Sequence, residues 1–338
     1  MDLNRTEVRD RRLKLVTFAG KGNEQRLGAV LGTRVVDLRL AQTDYLRCET
    51  KRTDRYSSQC FSVPENMMQF LQSGPESINA LLETIRCVED TMSHGQDLRG
   101  RSGLKVVHGL SEIHLMAPVP RPGKIICPAR NFLDHLEEQR EYYSGSETPL
   151  AFIKVSTAVI GPDQTIVHPK VVKQLDYEVE LAVVIGKRAK NISREDAYEY
   201  VAGYTVFNDI SARDVQFAEM KHGLINLGKN FDTFAPMGPC LVLKDQLDDP
   251  HDLDMELRVN GEIRQRSNTR NMIFKIPDLV HYFSRMTLEP GDIITSGTPS
   301  GVAIFRKPNP ERWFLKPGDL VEAEIENIGV LRNKIQEE

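Results

Sequence analysis

Short apolar runs broken by glycine-bearing turns open the chain. Leu13 to Phe18, Leu27 to Leu31 and Val35 to Leu38 are separated by Gly20-Lys21-Gly22-Asn23 and Gly32-Thr33, a spacing that predicts a strand meander. Ile78, Leu81, Leu82, Ile85, Val88 and Met92 then recur at helical intervals behind Ser73-Gly74-Pro75-Glu76, which has the form of a capping box with proline in the first turn. The stripe predicts a helix whose apolar face lies in a core. Proline density peaks at Ala117-Pro118-Val119-Pro120-Arg121-Pro122-Gly123, a stretch unable to continue a helix or a central strand and suited to a stiff connection. We expect a domain boundary there, with a small N-terminal domain over 1–117 and a second domain over 118–338.

Strands dominate the second part. Glu256-Leu257-Arg258-Val259 and Glu262-Ile263-Arg264-Gln265 flank Asn260-Gly261, a pair whose tolerance of positive φ predicts a hairpin. Pro290-Gly291-Asp292 and Pro317-Gly318-Asp319 each preset a turn and release into a strand, Ile293 to Thr295 and Leu320 to Ile325. The expected helices are Ser193 to Tyr200 with Ser193 as cap, Ser211 to Met220, and Ile276 to Ser284. No internal repeat or low-complexity tract interrupts this pattern.

Composition narrows the function classes. Among 338 residues, 44 Lys and Arg face 48 Asp and Glu for a formal charge of −4, without the long basic stripe that a nucleic-acid backbone requires. Surface scaling lets a chain of this size bury about three quarters of its unfolded surface, so a large core needs no staples. Cys48, Cys60, Cys87, Cys127 and Cys240 are scattered and lack a Cys-x-x-Cys spacing, which predicts reduced thiols. Met1 to Arg12 mixes acids with bases around no apolar centre, and no apolar run approaches the ~18 residues of a membrane span. The expectation is a cytoplasmic protein with no membrane partner.

Candidate chemistry begins in Asp176-Tyr177-Glu178-Val179-Glu180-Leu181-Ala182-Val183-Val184-Ile185, which alternates as a strand. Period two places Glu178 and Glu180 on one face, about 6.6 Å apart along the chain. Buried carboxylates so close resist joint ionisation unless a cation compensates them, and a divalent metal would do so. A half-exposed strand with solvated glutamates fits the same stretch equally well. Asp209, after the apolar run Tyr204-Thr205-Val206-Phe207, offers a third oxygen ligand for a hard cation or else serves as a turn residue. His135 and Glu138 are three apart, spaced either as a base with its orienting carboxylate or as an inert surface pair.

Four stretches in order carry a resemblance: Glu178-Val179-Glu180; Asn208-Asp209-Ile210-Ser211-Ala212-Arg213-Asp214-Val215-Gln216; Gly228-Lys229-Asn230-Phe231-Asp232-Thr233; and Thr295-Ser296-Gly297-Thr298-Pro299-Ser300-Gly301. Together they resemble the signatures of the fumarylacetoacetate hydrolase family. The resemblance implies an α+β fold, with a mixed β-sandwich roll catalytic domain behind a small N-terminal α+β domain. It implies Mg²⁺, Mn²⁺ or Ca²⁺ held by Glu178, Glu180 and Asp209. It further implies a lid pair, His135 and Glu138, that activates water or a substrate proton, and a catalytic Lys229. Arg213, Gln216 and Thr298 would bind substrate, and the chain would form a homodimer.

A 2-keto acid suits this residue set, because its carboxylate and keto oxygens can both reach the metal while charge develops on an enolate. The leading expectation is a hydrolase that cleaves a carbon–carbon bond in an acylpyruvate-like 2,4-diketo acid. The alternative is an oxaloacetate decarboxylase or another 2-keto acid lyase or isomerase using the same metal. A metal-binding protein without turnover is a third reading, disfavoured by His135, Glu138 and Lys229. Where the family commonly has glycine ahead of the lid, this chain reads Cys127-Pro128-Ala129-Arg130-Asn131-Phe132, so Arg130 either faces substrate or packs by its stem. The polar stretch Gln139 to Pro149 is expected to extend a mobile lid.

Overall fold

The computed structural model describes residues 12–20, 24–42, 63–94, 98, 103–140 and 145–338, without the side chains of Pro75 and Glu76. The centre of the Gly20–Asn23 turn, Met1 to Arg11, Cys48, Cys60, the Glu76 carboxylate of the expected capping box and the lid residues Tyr142, Tyr143 and Ser144 lie outside the described residues.

The strand Val179–Ile185 is apolar at every position after Glu180, and every one of its residues is buried. A strand apolar on both faces belongs in the middle of a layered fold. Here it pairs antiparallel with Val201–Asn208 on one side and with Ile293–Thr295 on the other. The larger sheet continues through Ala235–Leu243 to Lys14–Ala19, Gln25–Leu31, Arg34–Asp37 and Val107–Gly109. At its other end Ile125–Ala129 joins Ile293–Thr295 in parallel, and Leu150–Lys154 forms the edge. Lys14–Ala19 thus joins the first third of the chain to the last through its pairing with Ala235–Leu243.

A second sheet of five strands, Glu262–Asn268, Asp254–Val259, Leu320–Ile325, Gly329–Glu337 and Ile166–His168, stacks on one face. Leu181 and Val183 meet Leu257, Val321 and Ala323 in the core between the sheets. On the other face Ala182, Val184, Phe207 and Leu241 share a core with Leu81, Ile85 and Val88 of the helix Pro75–Ser93. The architecture is α+β, mostly sheet with few helices, as expected.

Several local expectations hold for the expected reasons. Asn260 and Gly261 have φ of 52° and 80° and close the hairpin, while Gly291 and Gly318 sit at 90° and 95° in the two Pro-Gly-Asp turns. Three expectations need correction. Ser73 does not cap the long helix; it closes the preceding helix Met67–Gln72, its hydroxyl donating to Gln69 O at 2.5 Å, and Gly74 occupies the N-cap. The helix expected over Ser193 to Tyr200 shrinks to a 3₁₀ turn, Ala197–Tyr200, because only Ala197 in that turn is buried and a short helix needs a packed face. Ser211 and Ala212 pair with Leu175–Asp176, so the next helix begins at Arg213.

Leu181 is fully buried in the central strand. Leu181→Ala should cost about 2–5 kcal/mol of unfolding free energy, measured by urea titration at unchanged slope.

Candidate functional site

Antiparallel register assembles the acids. Val179 lies opposite Asn208, so Glu178 and Asp209 fall side by side just beyond the paired residues, and Asp209 N–H donates to Glu178 O at 2.9 Å. Asn208 Oδ1 accepts from Glu178 N–H at 3.0 Å and fixes the same corner. Glu178, Glu180 and Asp209 are 6%, 2% and 1% exposed, which removes the solvated-glutamate alternative. Their ligand atoms lie within 4.8 Å of one another, a spacing on the scale of oxygens around a single hard cation.

Buried cations face these acids. Lys229 Nζ donates to Glu178 Oε2 at 2.9 Å and to Asp209 Oδ2 at 2.7 Å. Lys154 Nζ, from the edge strand, donates to Asp209 Oδ1 at 2.6 Å and Ile210 O at 3.1 Å. Arg213 spreads its guanidinium over Asp176 (Nε, 2.8 Å), Glu178 (Nη2, 2.5 Å) and Gln216 (Nη1, 3.0 Å). Among the described residues, four buried carboxylates, with Asp176 included, therefore meet three buried cations here, and Glu180 Oε2 has no hydrogen-bond partner. An unpaired buried carboxylate oxygen among all-oxygen donors fits a hard divalent ion.

The electrostatic consequences differ between the two glutamates. Burial alone would raise Glu178, but the Lys229 ammonium and Arg213 guanidinium draw it down to about 2. For Glu180, burial with the adjacent Asp209 and Glu178 carboxylates outweighs the pull of Thr295 and Lys229 and pushes it well above the usual range. Burial also lowers Lys154, whereas Asp209 and Glu178 outweigh burial and raise Lys229.

His135 and Glu138 lie on the short helix Leu133–Glu138, with His135 Nδ1 2.6 Å from Glu138 Oε1. The carboxylate assigns the proton to Nδ1, leaving Nε2 as the acceptor for the Gln139 amide N–H. Glu138 Oε2 accepts from Gly301 N–H at 3.0 Å, and the Phe305 ring stands edge-on to the imidazole, 6.1 Å between centroids. Asn131 ties the base of this segment to Phe274 O, Ser296 O and Phe274 N–H.

All nine expected site residues except Glu138 line one cavity of about 70 Å³, and Glu138 sits directly behind His135. Arg130 also lines it, with φ at 55°, a left-handed conformation that glycine adopts without strain. Thr298 reaches the cavity wall while its hydroxyl donates to Val179 O at 3.0 Å and accepts from Gln265 Nε2 at 2.9 Å. Asp176, Lys154 and Phe152 were not among the expected residues. Asp176 had a signal, since it shares the period-two face with Glu178 and Glu180; a lone lysine ending an edge strand such as Lys154 is ordinary.

Comparison with known proteins adds three findings. The family model described as fumarylacetoacetate (FAA) hydrolase C-terminal matches residues 124–336. The chain is 43% identical over 275 residues to oxaloacetate tautomerase Fahd2a, mitochondrial, of Rattus norvegicus, covering 81% of this chain and 80% of that one. Among solved structures it is similar to a fumarylacetoacetate hydrolase from Exiguobacterium antarcticum (TM-score 0.71, 29% identity, 96% and 100% of the two chains) and to maleylpyruvate hydrolase from Sphingobium sp. SYK-6 (TM-score 0.67, 29% identity, 96% and 100%).

Since Glu180 holds its proton above the usual carboxylate range, metal uptake must displace that proton, and lowering the pH opposes uptake. Calorimetric Mn²⁺ affinity should weaken as the pH is lowered, with proton release visible as a buffer-dependent heat. Affinity independent of pH would contradict the assignment. Glu180→Gln should weaken Mn²⁺ binding at least about tenfold without lowering the melting temperature of the metal-free protein.

Proposed function

This chain belongs to the fumarylacetoacetate hydrolase family, and from that premise we propose a divalent-metal enzyme that stabilises the enolate of a small 2-keto acid, interconverting the keto and enol forms of oxaloacetate. The observation that carries this reading is the meeting of three buried carboxylates, the Lys229 ammonium and the His135–Glu138 pair at one cavity. The relative named an oxaloacetate tautomerase supports the substrate class.

A Mg²⁺ or Mn²⁺ ion held by Glu178, Glu180 and Asp209, or Ca²⁺ on the same donors, supplies Lewis acidity to the substrate's oxygens when bound. His135 Nε2, oriented by the Nδ1–H bond to Glu138 and freed when the Gln139 amide turns away, takes a proton from the carbon beside the keto group. The same proton returns to the enolate oxygen or to carbon, so no atom is gained or lost. Lys229 places positive charge beside the oxygen on which negative charge develops. Arg213 keeps two N–H groups beyond those bonded to Asp176, Glu178 and Gln216, and with the Gln216 amide these would hold a substrate carboxylate. Thr298 would donate to that carboxylate after rotating its hydroxyl from Val179 O. Phe152, Phe217 and Phe305 wall the cavity against bulk water.

A second reading is carbon–carbon hydrolysis of a 2,4-diketo acid, favoured by the same His135–Glu138 pair and by the structural likeness to maleylpyruvate hydrolase. There His135 Nε2 takes its proton from a water that attacks the distal carbonyl, and pyruvate leaves as its enolate. A homodimer remains part of the proposal, and sedimentation at one monomeric mass at all concentrations would contradict it. No helix among the described residues is long and apolar enough to cross a membrane. The cytoplasmic location expected from the N-terminus draws no support from the relative whose name places it in mitochondria.

Stopped-flow mixing of enol-oxaloacetate with Mn²⁺-loaded protein should show accelerated ketonisation, with His135→Asn slower by about 10²–10⁴-fold. Glu180→Ala or chelation of the metal should remove the acceleration. Proton NMR of acetylpyruvate incubated in parallel separates the readings: acetate and pyruvate indicate the hydrolase, and inertness of both substrates would sink the proposal.

A further inference from the structure

The His135–Glu138 pair is held from behind by a turn that closes on itself. Gly301 N–H donates to Glu138 Oε2 at 3.0 Å, and Gly301 O accepts from Arg306 Nε at 3.0 Å and from Tyr177 OH at 3.4 Å. Arg306 Nη2 also donates to Arg264 O. Within the turn, Phe305 packs against His135, and Ala303 N–H and Ile304 N–H donate to Asp176 at 2.8 and 3.2 Å.

Gly301 is the weak point of this arrangement. Its φ is 101°, and a Cβ there would come within 2.4 Å of Arg264 O, so the close approach requires glycine. Glycine is also the residue least able to hold its own conformation. The N–H that grips Glu138 therefore depends on what fixes the neighbouring carbonyl. Arg306 does this with Nε, while Nη2 of the same rigid fork holds Arg264 O, and its guanidinium lies 4.5 Å from the Trp313 ring centroid, with that of Arg264 at 4.4 Å. Arg306 itself does not line the cavity.

We propose that Arg306, clamped against Trp313, is a positioning residue for proton transfer: it fixes the carbonyl side of Gly301, whose N–H orients Glu138, and through Glu138 the tautomer of His135. The inference rests on the reading of His135–Glu138 as the proton-transfer pair. Lysine in its place keeps the charge but loses the fork and the flat stacking face.

The test uses the full chain labelled with ¹⁵N-histidine, with His135→Asn to assign the His135 signals, and compares wild type, Arg306→Met and Arg306→Lys. The expected result is that Arg306→Met converts the single Nδ1–H signature of His135 into a mixture of tautomers. Its kcat for oxaloacetate ketonisation should fall about tenfold to a hundredfold, with KM within about twofold and Mn²⁺ affinity unchanged. Arg306→Lys should lie nearer to Arg306→Met than to wild type. An unchanged His135 signature in Arg306→Met overturns the proposal. So does a loss of Mn²⁺ affinity in step with kcat, which would mark general damage to the site. The tautomer readout needs no substrate, so an inactive wild type would reject the proposed reaction and still decide the role of Arg306.

Discussion

Carboxylates withdrawn from water at the end of a buried strand are the constraint around which this molecule is arranged. Asp176, Glu178 and Glu180 alternate along the chain as it enters the buried strand, Asp209 adds a fourth acid just past the end of the neighbouring strand, and all are buried. Removing such groups from water costs several kcal/mol each unless cations and hydrogen bonds compensate. Lys154, Arg213 and Lys229 come from a sheet edge, a helix start and a 3₁₀ turn to supply that compensation. Their convergence ties distant segments to one point, and it leaves Glu180 Oε2 as the oxygen that a bound ion would complete.

In the proposed reaction, neutralisation and catalysis would use the same side chains. Lys229 bonds Glu178 and Asp209 and also lies 5.0 Å from the Phe152 ring centroid on the cavity wall, so one ammonium balances the acids and faces the substrate space. Arg213 braces Glu178 against Asp176, and Asp176 in turn holds the backbone of residues 303 and 304. The metal corner and the turn behind His135 are thus linked through one carboxylate. Under the proposed function, such a network would stabilise negative charge on a keto acid without dictating whether carbon, oxygen or water exchanges the proton. One constellation can therefore serve the differently named reactions of this chain's relatives.

Three positive-φ positions lie around the segment that carries His135. Arg130 at φ 55°, Gly297 at 77° and Gly301 at 101° surround the helix that carries His135. A Cβ on Gly297 would stand 3.1 Å from Asn131 Cβ, and Asn131 anchors that segment through three hydrogen bonds. Sheet-anchored elements hold the acids, while His135 is suspended from tight loops. That division suits a site whose metal ligands must stay fixed while the segment bearing the base admits substrate.

By itself the sequence determined what repeats locally. Period-two alternation put Glu178 and Glu180 on one face, Asn260-Gly261 marked its hairpin, and ordered motifs pointed to the family and to nine residues that meet at one site. Local pattern also misled where a residue had two possible partners, as when Ser73 closed one helix instead of opening the next. The tertiary structure alone decided the burial that separates a metal centre from a solvated strand face. It also chose the partners, giving Lys154 to Asp209 and Gly301 to Glu138 across 55 and 163 residues. Burial and long-range pairing depend on which elements pack together, and no local periodicity carries that information.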